Sequence, residues 1–385
     1  MSAPVVQLTA NDFEEAIDFL NLVFSASWRP HDFVNLLPAL YRPTDEHLGH
    51  NFAIRQSGRI RAIVGMFPLQ WQVGGSTLRL AGIGGVSTHS GCRGAGFMQT
   101  LMRHCVERMR AEKYHLSWLG GQRQRYLHYG YETAGTAVAI TLNKRNLRAT
   151  ADRAPKLRFA PLKATDRRLL ARAQALHDAQ PLHAVRPAAD FHLYLRTWHH
   201  EPHAAFDAKG RLVGYLVTNK SGDYVAEFAA RHDNDAFNLL QAWVLQRDGD
   251  GVNFDLSPLP SALLHRVTQC CEHVQLRSAS NWQVFDWAAT LDALLKARHT
   301  AAPLPKGAVV VGVKGQGRFR LEVAGTAARC RTTAARADVE ADAPTVTRLL
   351  FGPLKPAQVL PLGGRAAVLE AWCPLPARWG GQDGV

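Results

Sequence analysis

The sequence predicts a mixed α/β chain made of two similar units followed by a smaller C-terminal α+β unit. Three observations carry that prediction. A small-residue strand, Gly82-Ile83-Gly84-Gly85-Val86-Ser87-Thr88, runs into the glycine loop Arg93-Gly94-Ala95-Gly96 and then into an amphipathic helix. A similar order of strands and helix returns between Phe206 and Gln246. A composition change near Ala297–Lys306, with Pro303 and Pro305, sets off the remainder. At 385 residues the chain also exceeds the roughly 250–300 residues that one hydrophobic core usually supports.

The first unit is expected over residues 1–150. Phe13, Ile17, Leu20 and Phe24 recur at helical spacing in Asn11–Phe24. Strands follow at Phe52–Arg55 and Ile60–Phe67 around a Ser57-Gly58 turn, then at Leu69–Val73 and Leu78–Thr88 around Gly74-Gly75. The helix after the glycine loop carries Met98, Leu101, Met102, Cys105 and Met109 on one stripe and Arg103, Glu107 and Arg110 on the other side, so it should lie on a sheet. Strands at His115–Leu119 and Thr136–Leu142 are expected to close the unit, and the basic stretch Lys144–Lys156 reads as a linker.

The second unit is expected over residues 151–296, with a helix at Asp166–Asp178, the turn in Phe206–Gly214, a strand at Tyr224–Ala230 and a helix at Ala236–Gln246. Where the first unit has its glycine loop, this one has Arg231-His232-Asp233-Asn234-Asp235. Two carboxylates would repel a phosphate, and no glycine lets the backbone approach one closely. The third unit, residues 297–385, shows a strand at Arg318–Val323 and a helix opening at Asp342-Ala343-Pro344, with Asp as cap and Pro in the first turn. It closes with the apolar stretch Ala366–Trp372 and the tail Pro374–Val385.

Composition narrows the function classes. The formal charge is +13, but Lys and Arg are spread along the chain with no aromatic-flanked basic run, so nucleic acid is not an expected partner. No segment approaches the roughly 18 apolar residues of a membrane span, and no secretory signal is evident, so a cytoplasmic, membrane-free protein is expected. Six scattered cysteines without a C-x-x-C pair read as reduced thiols, with Cys270 and Cys271 as core thiols on a helix. His199-His200-Glu201-Pro202-His203 is interrupted by proline, so a solvated loop is expected there rather than a metal site.

A strand feeding a glycine loop at a helix N-terminus is a phosphate cradle, because bare N–H groups and the helix dipole both favour an anion. The same pattern also arises as an ordinary strand–turn–helix corner. Tyr126, in Tyr126-Leu127-His128-Tyr129-Gly130-Tyr131-Glu132, offers a phenolic proton on the same unit. Together these residues suggest acyl transfer from a nucleotide thioester.

Val86-x5-Cys92-Arg93-Gly94-Ala95-Gly96 followed by Tyr126-x3-Gly130-Tyr131 resembles the acetyl-CoA loop and catalytic tyrosine of GNAT acetyltransferases. The whole layout resembles the enhanced-intracellular-survival family of N-acetyltransferases. That likeness implies tandem GNAT-like domains with mixed, splayed sheets, the second without cofactor, and a C-terminal sterol-carrier-like domain; Leu349–Gly352 and Trp379–Val385 look like its ending. It implies acetyl-CoA as co-substrate, an amine acceptor of the aminoglycoside, lysine or polyamine type, and a homo-oligomer, of which a hexamer is one form. In one respect the chain departs: the usual loop has Gly or Ala two places after its last glycine, where Met98 stands here and could narrow the cleft.

Carried onto this chain, the resemblance implies that the N–H groups of Gly94, Ala95, Gly96, Phe97 and Met98, beside Arg93, hold the pyrophosphate. Val86, Ser87 and Thr88 would lie along the pantetheine. Tyr126 would be the general acid, the alternative being a half-buried aromatic that closes its short helix. The terminal carboxylate of Val385 would take the amine's proton or orient an ammonium, against the alternative of a frayed terminus. Phe24, Trp28 and Trp198 are candidates for an amine-binding pocket, or else core aromatics. A second class of function stays open: a non-catalytic carrier of an apolar ligand, which would need neither Arg93–Gly96 nor Tyr126.

Overall fold

The computed structural model describes residues 4–26, 29–150, 155–271 and 273–385. Trp28 lies outside the described residues. Three sheets organise the described residues. The first contains β1 (Val5–Gln7), β2 (Asn51–Gln56), β3 (Arg59–Val73), β4 (Ser76–Thr88), β5 (Leu116–Leu119) and β6 (Glu132–Thr133), with Asn281–Val284 between β5 and β6. Only β4 and β5 run parallel along that path.

Side-chain alternation sorts this sheet's two faces. Ala62, Val64, Met66, Ala81 and Ile83 face α2 (Phe97–Ala111), which buries Leu101, Met102, Cys105, Val106 and Met109. Ile63 and Phe67 face the other way, onto Leu20 and Ile17 of α1 (Phe13–Ser25). Each fully buried Leu, Ile or Met contributes about 1.5–3 kcal/mol, so these two stripes hold the helices in place.

β3 is one continuous strand through Pro68, where the sequence suggested two. Proline lacks an N–H, yet here it costs no ladder bond on the outer side: β2 pairs with β3 only as far as Gly65, and the added strand Leu182–Ala184 begins at Trp71.

The second sheet repeats the first: Arg158–Pro161, Glu201–Phe206, Leu212–Thr218, Tyr224–Ala230, then Gly251–Leu256 in parallel. The units then exchange strands. Ala137–Asn143, expected to close the first unit, instead pairs with Gly251–Leu256 of the second sheet. Reciprocally, Asn281–Val284 pairs with β5 of the first. The expected linker is helical over Lys144–Thr150, capped by the Asn143 side chain accepting from the Asn146 N–H at 2.7 Å. His200 and His203 lie at and in the strand Glu201–Phe206 rather than in a solvated loop; their rings pack on Tyr224 and Trp243. Cys270 is buried in the second core, although the preceding helix ends at Thr268.

The third sheet is Ala327–Thr332, Gly317–Ala324, Gly307–Val313 and Val339–Ala341. Helix Trp287–Ala301 joins its inner face to Trp71, Leu78 and Leu80 of the first sheet in one core, and the composition change at 297 falls inside this helix. Among the described residues no helix is long and apolar enough to cross a membrane, and no group of three His, Cys, Asp or Glu side chains is placed to hold a metal.

Candidate active site

The site begins where the first sheet splits. β4 pairs with β5 from Leu80–Ile83 to Leu116–Leu119 and no further, while it stays on β3 through Thr88. From Gly84 onward its β5-facing edge is open. A bulge marks the split: Gly65 opposes Gly84 but Ile63 opposes Ser87, so β4 carries one extra residue. Gly85 takes φ +58° there, and a Cβ on it would lie 2.8 Å from the Tyr41 hydroxyl. Val86 and Thr88 are half-buried along the open edge, and Ser87 is buried with its Oγ unpartnered among the described residues.

The glycine loop follows. Gly94 (φ +87°) and Gly96 (φ +77°) are both left-handed, a conformation that glycine adopts without penalty. The N–H groups of Gly94, Gly96, Phe97 and Met98 have no acceptor among the described residues, and no side chain caps α2. Ala95 differs from expectation: its N–H is taken by the Cys92 carbonyl at 3.2 Å, because the turn closes on itself there. A Cβ on Gly94 would meet nothing within 4 Å, so the bend is open. Met98 packs against the core cluster shared with Val86 and Tyr126, which directs its bulk into the helix–sheet interface.

Tyr126 ends α3 (Arg123–Tyr126), and the chain turns back at Gly130 (φ +94°). Arg123 grips the buried Glu132 with two bonds, Nε–Oε1 at 2.5 Å and Nη2–Oε2 at 2.8 Å, which ties this short helix to β6. The Tyr126 ring lies 2.9 Å from where a Cβ on Gly121 (φ +113°) would stand. Burial pushes the Tyr126 phenol above its usual pKa and so keeps it protonated. Its hydroxyl has no hydrogen-bond partner among the described residues. Tyr131 is committed elsewhere, bonded to Ser117 at 2.7 Å in the core.

The C-terminus arrives from the other side. A Cβ on Gly84 would stand 2.5 Å from the Val385 carboxyl carbon and 2.8 Å from its oxygen, so the terminal carboxylate lies directly on the strand at the split. The Val385 side chain packs with Leu69 on one side and with the cluster of Tyr41 and Phe67 on the other. Phe24 belongs to that same cluster. Trp198 is close too: its Nε1 is 3.5 Å from a Cβ built on Gly384, with Trp118 at 3.7 Å. Trp198 and His199 hold φ of +63° and +59°, an uncommon strain for two consecutive non-glycine residues.

A buried ionic network anchors this tail. Arg186 bonds Asp383 through Nε–Oδ1 at 2.6 Å and Nη2–Oδ2 at 2.8 Å, and Glu227 through Nη1–Oε1 at 3.0 Å and Nη2–Oε2 at 2.5 Å. Tyr215 donates to Glu227 at 2.7 Å. Burial alone would push the Glu227 carboxyl up; the Arg186 charge outweighs it and holds it well below the usual range. Gln382 donates to the carbonyls of Tyr194 and Thr197 at 2.8 and 3.0 Å. None of Arg186, Glu227 or Gln382 stands out in the sequence, because no motif or periodicity links them.

The second unit splits in the same place. Tyr224 and Val225 are the last residues to pair with Asn253 and Phe254. Its groove, about 400 Å³, is walled by the tail residues Arg378, Trp379 and Asp383. Asp233 stands at the start of its helix and accepts from the Leu263 N–H at 3.1 Å. A phosphate at this helix start would meet that carboxylate.

The acetyltransferase (GNAT) domain family matches residues 5–134. No curated protein matches the chain at a significant level. Solved structures match over nearly the full length. A GCN5-related N-acetyltransferase from Kribbella flavida is 20% identical, with a TM-score of 0.70 over 100% of this chain and 98% of that one. A GCN5-related N-acetyltransferase from Anabaena variabilis is 17% identical, with a TM-score of 0.68 over 98% and 99%. Eis1 from Mycobacterium abscessus is 15% identical, with a TM-score of 0.66 over 97% and 96%. At these identities the likeness to the solved structures is one of fold. Residues 5–134, which hold the split sheet, the glycine loop and Tyr126, are a GNAT acetyltransferase domain, and the chain is an acyltransferase.

Proposed function

We propose that the protein transfers an acetyl group from acetyl-CoA to a primary amine, directly and within a ternary complex. The observation that carries this reading is the row of N–H groups at Gly94, Gly96, Phe97 and Met98, unpaired among the described residues and beside the free edge of β4. Those donors suit a diphosphate, and Arg93 adds charge at the same bend. The edge at Val86–Thr88 suits the amides of an extended pantetheine arm, which would add to β4 as a further strand. The thioester then falls near the split.

The Val385 carboxylate takes the proton that the attacking amine loses, directly or through water, as the nitrogen bonds to the thioester carbon. When the carbon–sulfur bond breaks, Tyr126 gives its phenolic proton to the departing thiolate. The products are the amide and free coenzyme A thiol; Val385 releases its proton to solvent and Tyr126 regains one from it. Burial suits Tyr126 to this task, since a phenol held protonated remains a donor at neutral pH.

Calorimetric titration with acetyl-CoA and with coenzyme A tests the reading directly; absence of binding ends it. Tyr126→Phe should lower kcat by about 100-fold, the low end for general acid–base catalysis, while acetyl-CoA affinity stays within about twofold. Unchanged turnover would remove Tyr126 from its role.

A further inference from the structure

The second sheet parts as the first does, and the groove it opens is distinct from the glycine-loop cleft. Its two parallel strands, Tyr224–Ala230 and Gly251–Leu256, separate after Val225 and Phe254. The opening, about 400 Å³, has apolar walls that include Leu182, Phe228, Leu256, Leu259 and Leu263. A largely apolar cleft with a few convergent polar groups is the usual form of a small-molecule site. Which of those polar groups are free decides what this one can hold.

Most titratable groups on this wall are already matched. Glu227 and Asp383 share Arg186, and His177 stands 3.7 Å from Glu227, which raises its pKa against burial and the Arg186 charge. Asp255 is paired with Arg277. Burial pushes the His183 imidazole below its usual range, so that ring carries no fixed charge. Two groups are left. Arg378 is half-buried and gives one hydrogen bond, from Nη2 to the Asp255 carbonyl at 3.2 Å. Among the described residues its other N–H groups bond nothing, they are not sealed in, and no carboxylate lies within 4.0 Å. Burial lowers its pKa despite Asp255 and Glu227 nearby, the mark of a cation short of counter-charge. Asp233 accepts from the Leu263 N–H at 3.1 Å and has no cation within 4.0 Å among the described residues. The start of its helix supplies only about half a charge, so this carboxylate is partly offset and no more.

The two free charges stand toward opposite ends of the split. Arg378 bonds Asp255, one residue past the last paired position, whereas Asp233 opens the helix that follows the strand's end at Ala230. The open strand from Ala226 to Ala230 covers about 13 Å at roughly 3.3 Å per residue. We propose that this groove binds an amphoteric small molecule, a carboxylate and an ammonium joined by an apolar segment. The carboxylate takes the open N–H groups of Arg378, the ammonium meets Asp233, and the joining segment lies on the leucines. A plain fatty acid would set its chain against the Asp233 charge, and a plain alkylamine would leave Arg378 unmet. The site does not depend on acetyl transfer, since neither the glycine loop nor Tyr126 lines it.

Calorimetry on the full chain compares 8-aminooctanoate with octanoate, octylamine and glycine, with and without saturating acetyl-CoA. 8-Aminooctanoate should bind about tenfold tighter than either singly charged chain, and glycine, whose charges cannot span the groove, should bind more weakly still. Arg378→Gln should weaken 8-aminooctanoate about tenfold without weakening octylamine. Asp233→Asn, which keeps an acceptor for the Leu263 N–H, should weaken it about tenfold without weakening octanoate. Thermal unfolding checks that both variants are folded, and Asp233→Asn carries the test alone if Arg378→Gln is not. Binding of octanoate or octylamine as tight as that of 8-aminooctanoate overturns the proposal, as does failure of 8-aminooctanoate to bind. Equal weakening of every ligand in a folded variant overturns it too. So does loss of binding when acetyl-CoA is added, because that would put the ligand in the first cleft.

Discussion

Gly84→Ala is expected to lower kcat by at least about 100-fold while leaving acetyl-CoA affinity within about twofold. The new methyl group would lie 2.5 Å from the Val385 carboxyl carbon and 2.8 Å from its oxygen, and these are main-chain atoms with no rotamer to escape into. The terminus must lift off the strand, and if Val385 is the proton acceptor proposed above, the amine loses it. Gly84 is not in the left-handed region, so alanine strains no dihedral, and the stability it costs is that of unseating the packed Val385 side chain. Gly82→Ala is the matched control. Its methyl would meet the side chains of Val385 and Leu69 at 2.8 and 2.9 Å, which can shift, so a much smaller loss is expected. Adding residues after Val385 should mimic Gly84→Ala. Steady-state kinetics beside calorimetric titration decide the matter: equal activity in the two alanine variants would show that the carboxylate has no part in turnover.

Arg186→Met should destabilise the fold by about 3–5 kcal/mol, because it strands two buried carboxylates without their counter-charge. Thermal or urea unfolding measures the loss. The pH dependence adds a sign that simple loss of packing would not produce. In the wild type, Arg186 holds Glu227 well below the usual carboxylate range despite burial. A depressed folded-state pKa gives stability that is present above the unfolded value of about 4.3 and fades as pH falls through the folded value. In the variant, burial acts alone and raises that pKa, so its stability should fall as pH rises through the carboxylate range. The gap between the two proteins therefore widens from about pH 4 to 7. A gap that is constant with pH would mean that packing, not charge, is what Arg186 contributes. His177 runs the other way: Glu227 raises its pKa against the effects of burial and Arg186, and that contribution is present below about pH 6.5 and lost as pH climbs through the raised value. Because Asp383 is two residues from Val385, activity should fall along with stability in this variant.

Much of the site was legible in short windows of sequence. Gly94 and Gly96 announce left-handed backbone at a helix start, and α2 follows with its apolar stripe as read. Asp342 and Asp166 cap their helices by accepting from Thr345 and Leu169, as short polar side chains at those positions suggest. Asp233 stands at the start of the second unit's helix, where the sequence places it. Tyr126 was visible through its neighbours Gly130 and Tyr131. Each of these features depends on local dihedral preference, helical periodicity or charge within a few residues.

Other features needed the assembled chain. Ala95 loses its donor to Cys92 because the turn folds back on itself, which composition does not reveal. The strand Ala137–Asn143 reads the same whichever sheet receives it, since side-chain alternation is identical in both, and only packing assigned it to the second unit. The sequence alone determined a strand–glycine bend–helix corner and a tyrosine on one unit. Tertiary structure decided where the terminal carboxylate rests, because Arg186 and Asp383 stand 197 residues apart and an ion pair is specified by position in space, not along the chain.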